Sequence, residues 1–311
     1  MQIHTVNTPY MVGEVHFYSR EIDGELVLFD TGPPGEETRD VLRRQVDLGR
    51  LKHVFITHCH VDHYGQVRFL AENTDARIHL PFKDDLKLRR HDERLGCIEN
   101  LLEGMGFDRG TIAGLRSIVD SSLLFPGVPE RYGISEESDI PAGLGIEVLG
   151  CPGHSQSDLV YLVDGYAITG DVLLRETFQA PLLDMDLERG GRFGNYQAYC
   201  DSLQKLRYLR GYTILPGHRH PVEGLEETVL FYVGKLLERA GRIRLLPGGL
   251  SVKEQIGALF GDTLTDPFTL YLKASEVLFM TDFLADPGRL KGSLEAFGLY
   301  GEVQSRFEGV L

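Results

Sequence analysis

The chain has 311 residues, of which 42% are hydrophobic and 25% charged, a composition typical of a soluble globular protein. Its formal net charge of −14, from 46 acidic and 32 basic residues, disfavours nucleic acid as a partner because phosphate binding needs a basic face. No apolar run reaches the ~18–20 residues of a membrane helix, and the start lacks the features of a secretory signal. The four cysteines show no CxxC pairing, which indicates reduced thiols, so we expect a cytoplasmic protein without membrane contact.

The first part of the chain predicts a layered α/β arrangement. The segments with the β-branched and aromatic residues of strands are 14–20, 25–32, 53–58 and 76–81. Asp23-Gly24 suits a tight hairpin between the first two, and residues 65–73 show the apolar spacing of a helix. Strand–helix–strand order of this kind indicates a sheet covered by helices.

The middle of the chain predicts a helical insertion followed by further strands. Residues 82–140 contain charged, leucine-bearing segments broken at glycines, as in short helices. The next predicted strands are 143–153, 158–165, 166–171 and 212–218, and a predicted amphipathic helix covers 195–209. Asp164-Gly165 marks a second hairpin.

Residues 223–311 change in character, so we place a domain boundary after residue 222. Helices are predicted for 225–240, 251–260 and 267–284, followed by a strand-like tail at 300–311 with rough alternation. Helices with a short β ending predict a small, mostly helical, winged-helix-like domain after a first domain at 1–222. The predicted helices carry more apolar residues than solubility requires, which raises the expectation of a homodimer.

The stretch "THCHVDH" at 57–63 is a candidate metal motif. His58 and His60 are two residues apart, so in an extended segment both side chains point the same way while Cys59 points to the other side. Asp62 and His63 follow where the chain turns into a helix and project towards a different point. The spacing therefore predicts two adjacent half-sites, each needing ligands from elsewhere.

Three further residues complete such half-sites. His154, Asp171 and His218 each end an apolar run, and each is preceded by a glycine that permits tight backbone geometry. Zinc or iron bound by imidazole and carboxylate groups needs at least three protein ligands. The sequence thus supplies enough candidates for two metal ions.

The order of these motifs resembles that of the metallo-β-lactamase fold superfamily. The matching segments are "LFDTG" (28–32), "THCHVDH" (57–63), "PGH" (152–154), "GD" (170–171) and "PGH" (216–218). The resemblance implies an αββα four-layer sandwich with the site at one edge of its two sheets. The ligands it implies are His58, His60 and His154 for one ion, Asp62, His63 and His218 for the other, and Asp171 as the bridge between them.

The resemblance also implies a chemistry. Two divalent ions, zinc first with iron or manganese as alternatives, would share a bridging hydroxide that attacks an activated carbonyl in a thioester, lactone or similar ester. Asp62 is the candidate catalytic residue, because it can orient that nucleophile or shuttle its proton. Three alternatives stay open: a phosphodiesterase or nuclease-like hydrolase, an iron-dependent persulfide dioxygenase-like enzyme, and a scaffold with a degenerate site.

A small-molecule substrate is the expected partner, and three residues are candidates to bind it. Tyr64 follows the motif, Arg175 lies close after Asp171, and His220 lies two residues beyond His218. The alternatives are packing for the tyrosine and simple exposure for the other two. The insertion at 82–140 is a candidate lid over an apolar acyl chain, or its leucines pack into the sandwich instead.

Overall fold

The computed structural model describes residues 1–8, 12–121, 127–179, 181–261 and 263–311. Its strands form a six-stranded and a four-stranded sheet. The first sheet contains, in spatial order, β1 (Gln2–Asn7), β2 (Glu14–Ile22), β3 (Glu25–Phe29), β4 (Leu51–Phe55), β5 (Arg77–Leu80) and β6 (Gly133–Ile134). The second contains β7 (Glu147–Gly150), β8 (Leu159–Val163), β9 (Tyr166–Gly170) and β10 (Thr213–Pro216), in the spatial order β10-β9-β8-β7.

The helices lie in the connections and at the C-terminal end. Those of the first half are α1 (Glu36–Gln45), α2 (Val61–Tyr64), α3 (Val67–Asn73), α4 (Phe82–Arg89), α5 (His91–Gly104), α6 (Arg109–Val119) and α7 (Ile140–Gly143). Those of the second half are α8 (Asn195–Leu206), α9 (Leu225–Arg244), α10 (Val252–Phe260), α11 (Pro267–Ala285), α12 (Pro287–Phe297) and α13 (Tyr300–Val310). Among the described residues, no helix combines the length and apolarity needed to cross a bilayer.

The two sheets face each other, which confirms the predicted αββα sandwich. β1, β2 and β3 pair antiparallel, whereas β3 to β6 pair parallel, as expected where helical connections return the chain to the same sheet edge. Buried side chains from both sheets form one cluster between them, including Tyr18, Phe29, Phe55, Tyr161, Ile168 and Leu215. Helices α1 and α3 cover the outer face of the first sheet, and α8 covers that of the second.

Both predicted hairpins are present and have the backbone geometry that their sequences require. Asp23 and Gly24 have φ angles of 48° and 84°, and Asp164 and Gly165 have φ angles of 47° and 78°. Two consecutive residues with positive φ are characteristic of the type I′ turn, which Asp-Gly accepts with little strain. These turns join β2 to β3 and β8 to β9 in antiparallel register.

The prediction of a strand at 300–311 is wrong. Residues Tyr300–Val310 form helix α13, in which Val303 and Phe307 are buried. Their spacing of four is the helical period, and the apparent alternation of the tail reflected the small number of apolar residues. The described part of residues 223–311 contains helices without a strand, so the β ending behind the winged-helix expectation is absent there.

The C-terminal helices share cores with the rest of the molecule. One cluster joins Val160 of β8 and Leu203 of α8 to Val233 of α9 and Phe279 of α11. A second cluster joins α5 and α6 of the insertion to α10 and α11. The division at residue 222 stays a prediction, and the packing crosses it in two places.

Candidate metal centre

Three imidazole rings converge at the end of β4. The Nε2 atom of His58 lies 2.9 Å from Nδ1 of His60, and Nε2 of His154 lies 3.0 Å from the same atom. His58 and His60 come from the loop after β4, whereas His154 comes from the loop between β7 and β8. The three nitrogen atoms lie close enough together for one divalent ion to reach them all.

A second group lies beside the first. Asp62 and His63 are on α2, and His218 follows β10, so their proximity joins the two sheets at one edge. Oδ2 of Asp62 lies 3.4 Å from Nε2 of His218, and Oδ1 of Asp62 lies 3.9 Å from Nε2 of His63. These three side chains also form a group able to hold a cation.

Asp171, at the end of β9, lies between the two groups. Its Oδ1 atom is 3.4 Å from Nε2 of His63 and 3.5 Å from Nε2 of His218. Its Oδ2 atom is 3.7 Å from Nε2 of His154, which belongs to the other group. One carboxylate thus offers an oxygen atom to each side, the arrangement that a bridging ligand needs.

The donor atoms fit a cation because several have no other partner. Nε2 of His63, Nε2 of His218 and Oδ1 of Asp171 are buried without a hydrogen bond to any described residue. Leaving buried polar atoms unpaired costs about 1–3 kcal/mol each, so such atoms call for a ligand. A divalent ion would satisfy all three, and imidazole with carboxylate is a donor set suited to zinc or iron.

Hydrogen bonds on the far side of the rings present the correct nitrogen to the centre. Nδ1 of His63 lies 2.9 Å from Oδ2 of Asp30, and Nδ1 of His218 donates to the carbonyl oxygen of Glu14 at 2.7 Å. With Nδ1 holding the proton, Nε2 has its lone pair free for a metal ion. The tautomers of these two candidate ligands are therefore set by their surroundings.

Asp30 has a larger role than its sequence context suggested. The Asp30 carboxylate, in the "DTG" turn at 30–32, contacts the candidate metal motif directly. In addition to His63, it accepts hydrogen bonds from the backbone N–H of Thr57 at 2.8 Å and from the Thr57 hydroxyl. Next to it, the backbone N–H of Thr31 donates to the His63 carbonyl at 2.7 Å. The turn therefore holds both the ring and the backbone of His63.

Electrostatics divide the centre into a neutral and a charged half. Burial lowers the pKa of His58 and of His60 well below the usual range, so both rings are neutral and able to act as ligands. Burial also acts to lower the pKa of His63, but the carboxylates of Asp171 and Asp62 outweigh it and raise that pKa well above the usual range. The second half therefore attracts positive charge, which a proton or a metal ion can supply.

A cavity of about 470 Å³ opens beside the centre and continues under the helical insertion. Four of the candidate ligands, His60, Asp62, His154 and Asp171, form part of its wall. Nearly half of the remaining wall comes from α5, α6 and α11. The insertion thus covers a space that is continuous with the candidate metal centre.

The three predicted substrate-binding residues differ in their positions. Tyr64 lines the cavity, although it is almost fully buried and packs into the core of the first sheet. Arg175 is not part of the cavity wall, because its guanidinium donates to Glu223 at 3.0 Å on the surface. His220 is exposed and also lies outside that wall, since the chain turns outward after His218.

A buried ionic cluster beside the metal motif was missed from the sequence. Asp84 on α4 is fully buried, contacts Lys87 and accepts a hydrogen bond at 2.6 Å from the backbone N–H of Cys59. Nε of Arg94 donates to Oδ1 of Asp184 at 2.5 Å, and Lys87 lies 3.8 Å from the same carboxylate. Asp184 and Cys59 are distant in sequence from Asp84, Lys87 and Arg94, so only the abundance of charge in "KDDLKLRR" (83–90) hinted at such a cluster.

The comparisons with known proteins agree with this geometry. The family model described as the metallo-beta-lactamase superfamily matches residues 16–218, more than half of the chain. The chain is 27% identical over 236 residues to the probable metallo-hydrolase YqjP of Bacillus subtilis (strain 168), covering 72% of this chain and 73% of that protein. It is 26% identical over 220 residues to the linear primary-alkylsulfatase of Pseudomonas sp. (strain ATCC 19151), covering 65% of this chain and 41% of the sulfatase.

Among solved structures, the fold is similar to that of the metallo-beta-lactamase family protein TTHA1429 from Thermus thermophilus. The TM-score is 0.68 at 21% sequence identity, and the alignment covers 92% of this chain and 93% of that chain. The likeness includes the C-terminal helices as well as the sandwich, because it extends over nearly the whole of both chains. At this identity it shows the fold alone.

Proposed function

The chain belongs to the metallo-beta-lactamase superfamily, and from that membership we propose that it is a metal-dependent hydrolase acting on an activated carbonyl compound. Thioesters, lactones and similar esters are the proposed substrates. The observation that supports this proposal best is the set of buried, unpartnered donor atoms on His63, His218 and Asp171 beside a cavity of substrate size. Hydrolysis of such a substrate requires a cation, a positioned water molecule and a place for the acyl group.

In this proposal the chain holds two divalent ions, preferably zinc, with iron or manganese as alternatives. The first would be held by His58, His60 and His154. The second would be held by Asp62, His63 and His218, and Asp171 would contact both. Divalent ions, when bound, acidify a water molecule and polarise the oxygen of the scissile carbonyl.

Asp62 is the proposed catalytic residue. Its carboxylate forms part of the cavity wall, with Oδ2 near His218 and Oδ1 facing His63. A carboxylate at this position can accept a hydrogen bond from the attacking water, fix its direction and take up its proton at Oδ1. Burial acts to raise the pKa of Asp62, but the neighbouring histidines outweigh it and keep that pKa below its usual value, so the group stays ionised.

A second candidate activity is the cleavage of a sulfate ester. It is favoured by the 26% identity with a linear primary-alkylsulfatase, a relative of which this chain spans less than half. The sulfate and carbonyl candidates differ in the charge of the reacting group, so a substrate panel separates them. That panel should contain a thioester, a lactone, a β-lactam, an alkyl sulfate and bis-p-nitrophenyl phosphate.

The decisive experiment combines metal analysis with this panel. Protein purified without added metal should contain close to two zinc ions per chain, and His60→Ala should lose metal together with turnover. His220→Ala, an exposed histidine outside the cavity wall, is the matched control and should keep its metal content. Full activity with intact metal in His60→Ala would exclude the assignment. One iron per chain would favour the persulfide dioxygenase alternative, and no metal would favour a scaffold.

A further inference from the structure

The wall of the cavity includes aliphatic side chains of three helices. These side chains are Leu95, Ile98 and Leu102 of α5, Ile112 and Leu115 of α6, and Leu272 of α11. The same cavity has His60, Asp62, His154 and Asp171 in its wall. A single ligand of ordinary size can therefore contact the candidate metal centre and the aliphatic wall together.

The charged side chains that α4, α5 and α6 contribute to the cavity wall are already neutralised. Lys87 contacts Asp84, and Arg94 donates to Asp184 at 2.5 Å. Arg116 is paired in the same way, with Glu99 at 3.2 Å and with Asp92 outside the cavity wall at 2.7 Å. Each of these three cations is already paired, so a charged tail lying against α4, α5 and α6 would suffer a desolvation cost without a free counter-ion from these helices.

We propose that this space is an acyl-chain site, which takes the aliphatic chain of an ester or thioester whose reacting carbonyl lies at the metal centre. The identity of the reacting group rests on the proposed function, whereas the binding of the chain stands on the cavity itself. The aliphatic side chains of α5, α6 and α11 favour a tail of methylene groups over one that carries hydroxyl or amide groups.

Binding of uncharged 1-alkanols tests the chain site separately from catalysis. Calorimetric titration of the whole protein with the series from butanol to decanol should show the Kd falling about fourfold for each added methylene. That factor corresponds to about 0.8 kcal/mol per buried methylene. The Kd should stop falling, and so reach a plateau, at the alkanol length that fills the cavity. A Kd that does not change with chain length would overturn the proposal.

Two adjacent leucines of α5 provide a matched pair of variants. Leu102 is buried and lines the cavity, whereas Leu101 is half-buried and packs against the same cluster without lining it. Leu102→Phe should move the plateau to a shorter alkanol and raise the Kd of decanol about tenfold. Leu101→Phe should leave the series unchanged.

If Leu102→Phe does not fold, Leu115→Phe on α6 makes the same test, because Leu115 lines the cavity from the opposite helix. Equal effects of the lining and non-lining substitutions would contradict the site. The site would also be contradicted if both lining variants fold and neither shifts the plateau.

A kinetic series then separates the two proposals. kcat/KM for p-nitrophenyl esters should rise with acyl length up to the plateau found for alkanols, and Leu102→Phe should shorten the preferred chain. If no ester, thioester or lactone is cleaved while alkanols still bind by length, the proposed function fails and the chain site stands. If esters are cleaved without any dependence on length, the chain site is wrong and the hydrolase proposal survives.

Discussion

Within the histidine-rich motif at 57–63, the direction of each side chain decides which of the two candidate ligand groups the residue joins. His58 and His60 lie two apart and reach His154, whereas Asp62 and His63 turn with α2 towards His218. The backbone N–H of Cys59, between the two histidines, is held by Asp84 of the insertion. The motif does not reveal which residues elsewhere in the chain support it. Asp30, which contacts His63, is the clearest example of such a supporting residue.

Asp30→Asn should weaken metal binding without changing the fold. Asp30 has a φ of 59°, a conformation that asparagine also tolerates, so the turn should survive the substitution. The amide cannot match the carboxylate as acceptor for both His63 and Thr57. Loss of such an outer partner lowers metal affinity by about 10–100-fold. Competition with a fluorescent zinc chelator measures this change, and exposed Asp47→Asn is the control. Equal affinities in the two variants would show that Asp30 does not orient His63.

Gly217→Ala should disrupt the centre by steric contact. A Cβ atom at Gly217 would collide with Cε1 of His63 and lie 2.8 Å from Oδ1 of Asp171. Because both are ring or carboxylate atoms of candidate ligands, the substitution should lower the metal content and cost about 1–3 kcal/mol of stability.

Gly292→Ala is the contrasting substitution, since a Cβ atom there meets nothing within 4 Å. It lies within α12, where alanine should stabilise by about 0.5–1 kcal/mol. Elemental analysis and urea unfolding of both variants check the pair. A Gly217→Ala protein with full metal content would refute the steric argument.

At the scale of secondary-structure elements, strands could be predicted from local composition, and helices could be predicted from the spacing of apolar residues. The turns at Asp23-Gly24 and Asp164-Gly165 are fixed by their own residues, so the hairpins were predictable. β1 and β6 were not predicted, because edge strands of low apolar content are stabilised by the neighbour to which they bond. The misassigned tail at 300–311 has too few apolar positions to distinguish a period of two from one of 3.6.

The strand pair β4–β5 should make stability depend on pH. His79 lies 3.2 Å from His53 and stacks on Phe55, and burial followed by the charge of His53 lowers the pKa of His79 to about 4. An unfolded histidine has a pKa near 6.5, so the unfolded chain binds more protons between these values. This contribution to stability is therefore complete above about pH 6.5 and is lost as the pH falls towards 4.

Replacement of His79 by phenylalanine should remove this dependence. Between pH 6.5 and 4 the free energy of unfolding of the native protein should fall faster than that of His79→Phe, by up to about 1.4 kcal/mol per pH unit. Urea unfolding across this range measures the difference, and the same pair at pH 8 serves as the reference. Parallel pH profiles would show that His79 is not protonated on unfolding.

On the scale of the whole molecule, the C-terminal helices are part of the scaffold for the site. α11 packs on α8 beside the second sheet and also lines the cavity beneath the insertion. Several apolar residues that raised the expectation of a homodimer, among them Phe279 and Phe283, are buried within the chain. A homodimer stays a prediction that light scattering can test.

Phe279→Ala should destabilise the molecule as one unit. The ring is buried against Tyr196 and Tyr199 of α8, with centroids 5.8 Å apart in each pair. Its removal should cost about 3–5 kcal/mol and lower the midpoint of a single cooperative transition. Leu245→Ala, at an 86% exposed position, should change stability by less than about 0.5 kcal/mol. Two separate transitions, with only one shifted, would mean that residues 223–311 fold independently.

The sequence by itself determined the hairpins, because turn chemistry is a local property. The order of its motifs determined the expected sandwich and the seven candidate ligands through the family resemblance that these motifs carry. Only the tertiary structure decided what surrounds them. Asp30, Asp84 and the cavity wall reach the site through contacts between distant segments, which leave no spacing to read in one sequence. The packing of α11 could not be predicted either, because the apolar face of a helix does not indicate which surface of the protein it packs against. The candidate ligands could thus be identified from the order of local motifs, whereas the shape of the cavity beside them depends on long-range packing.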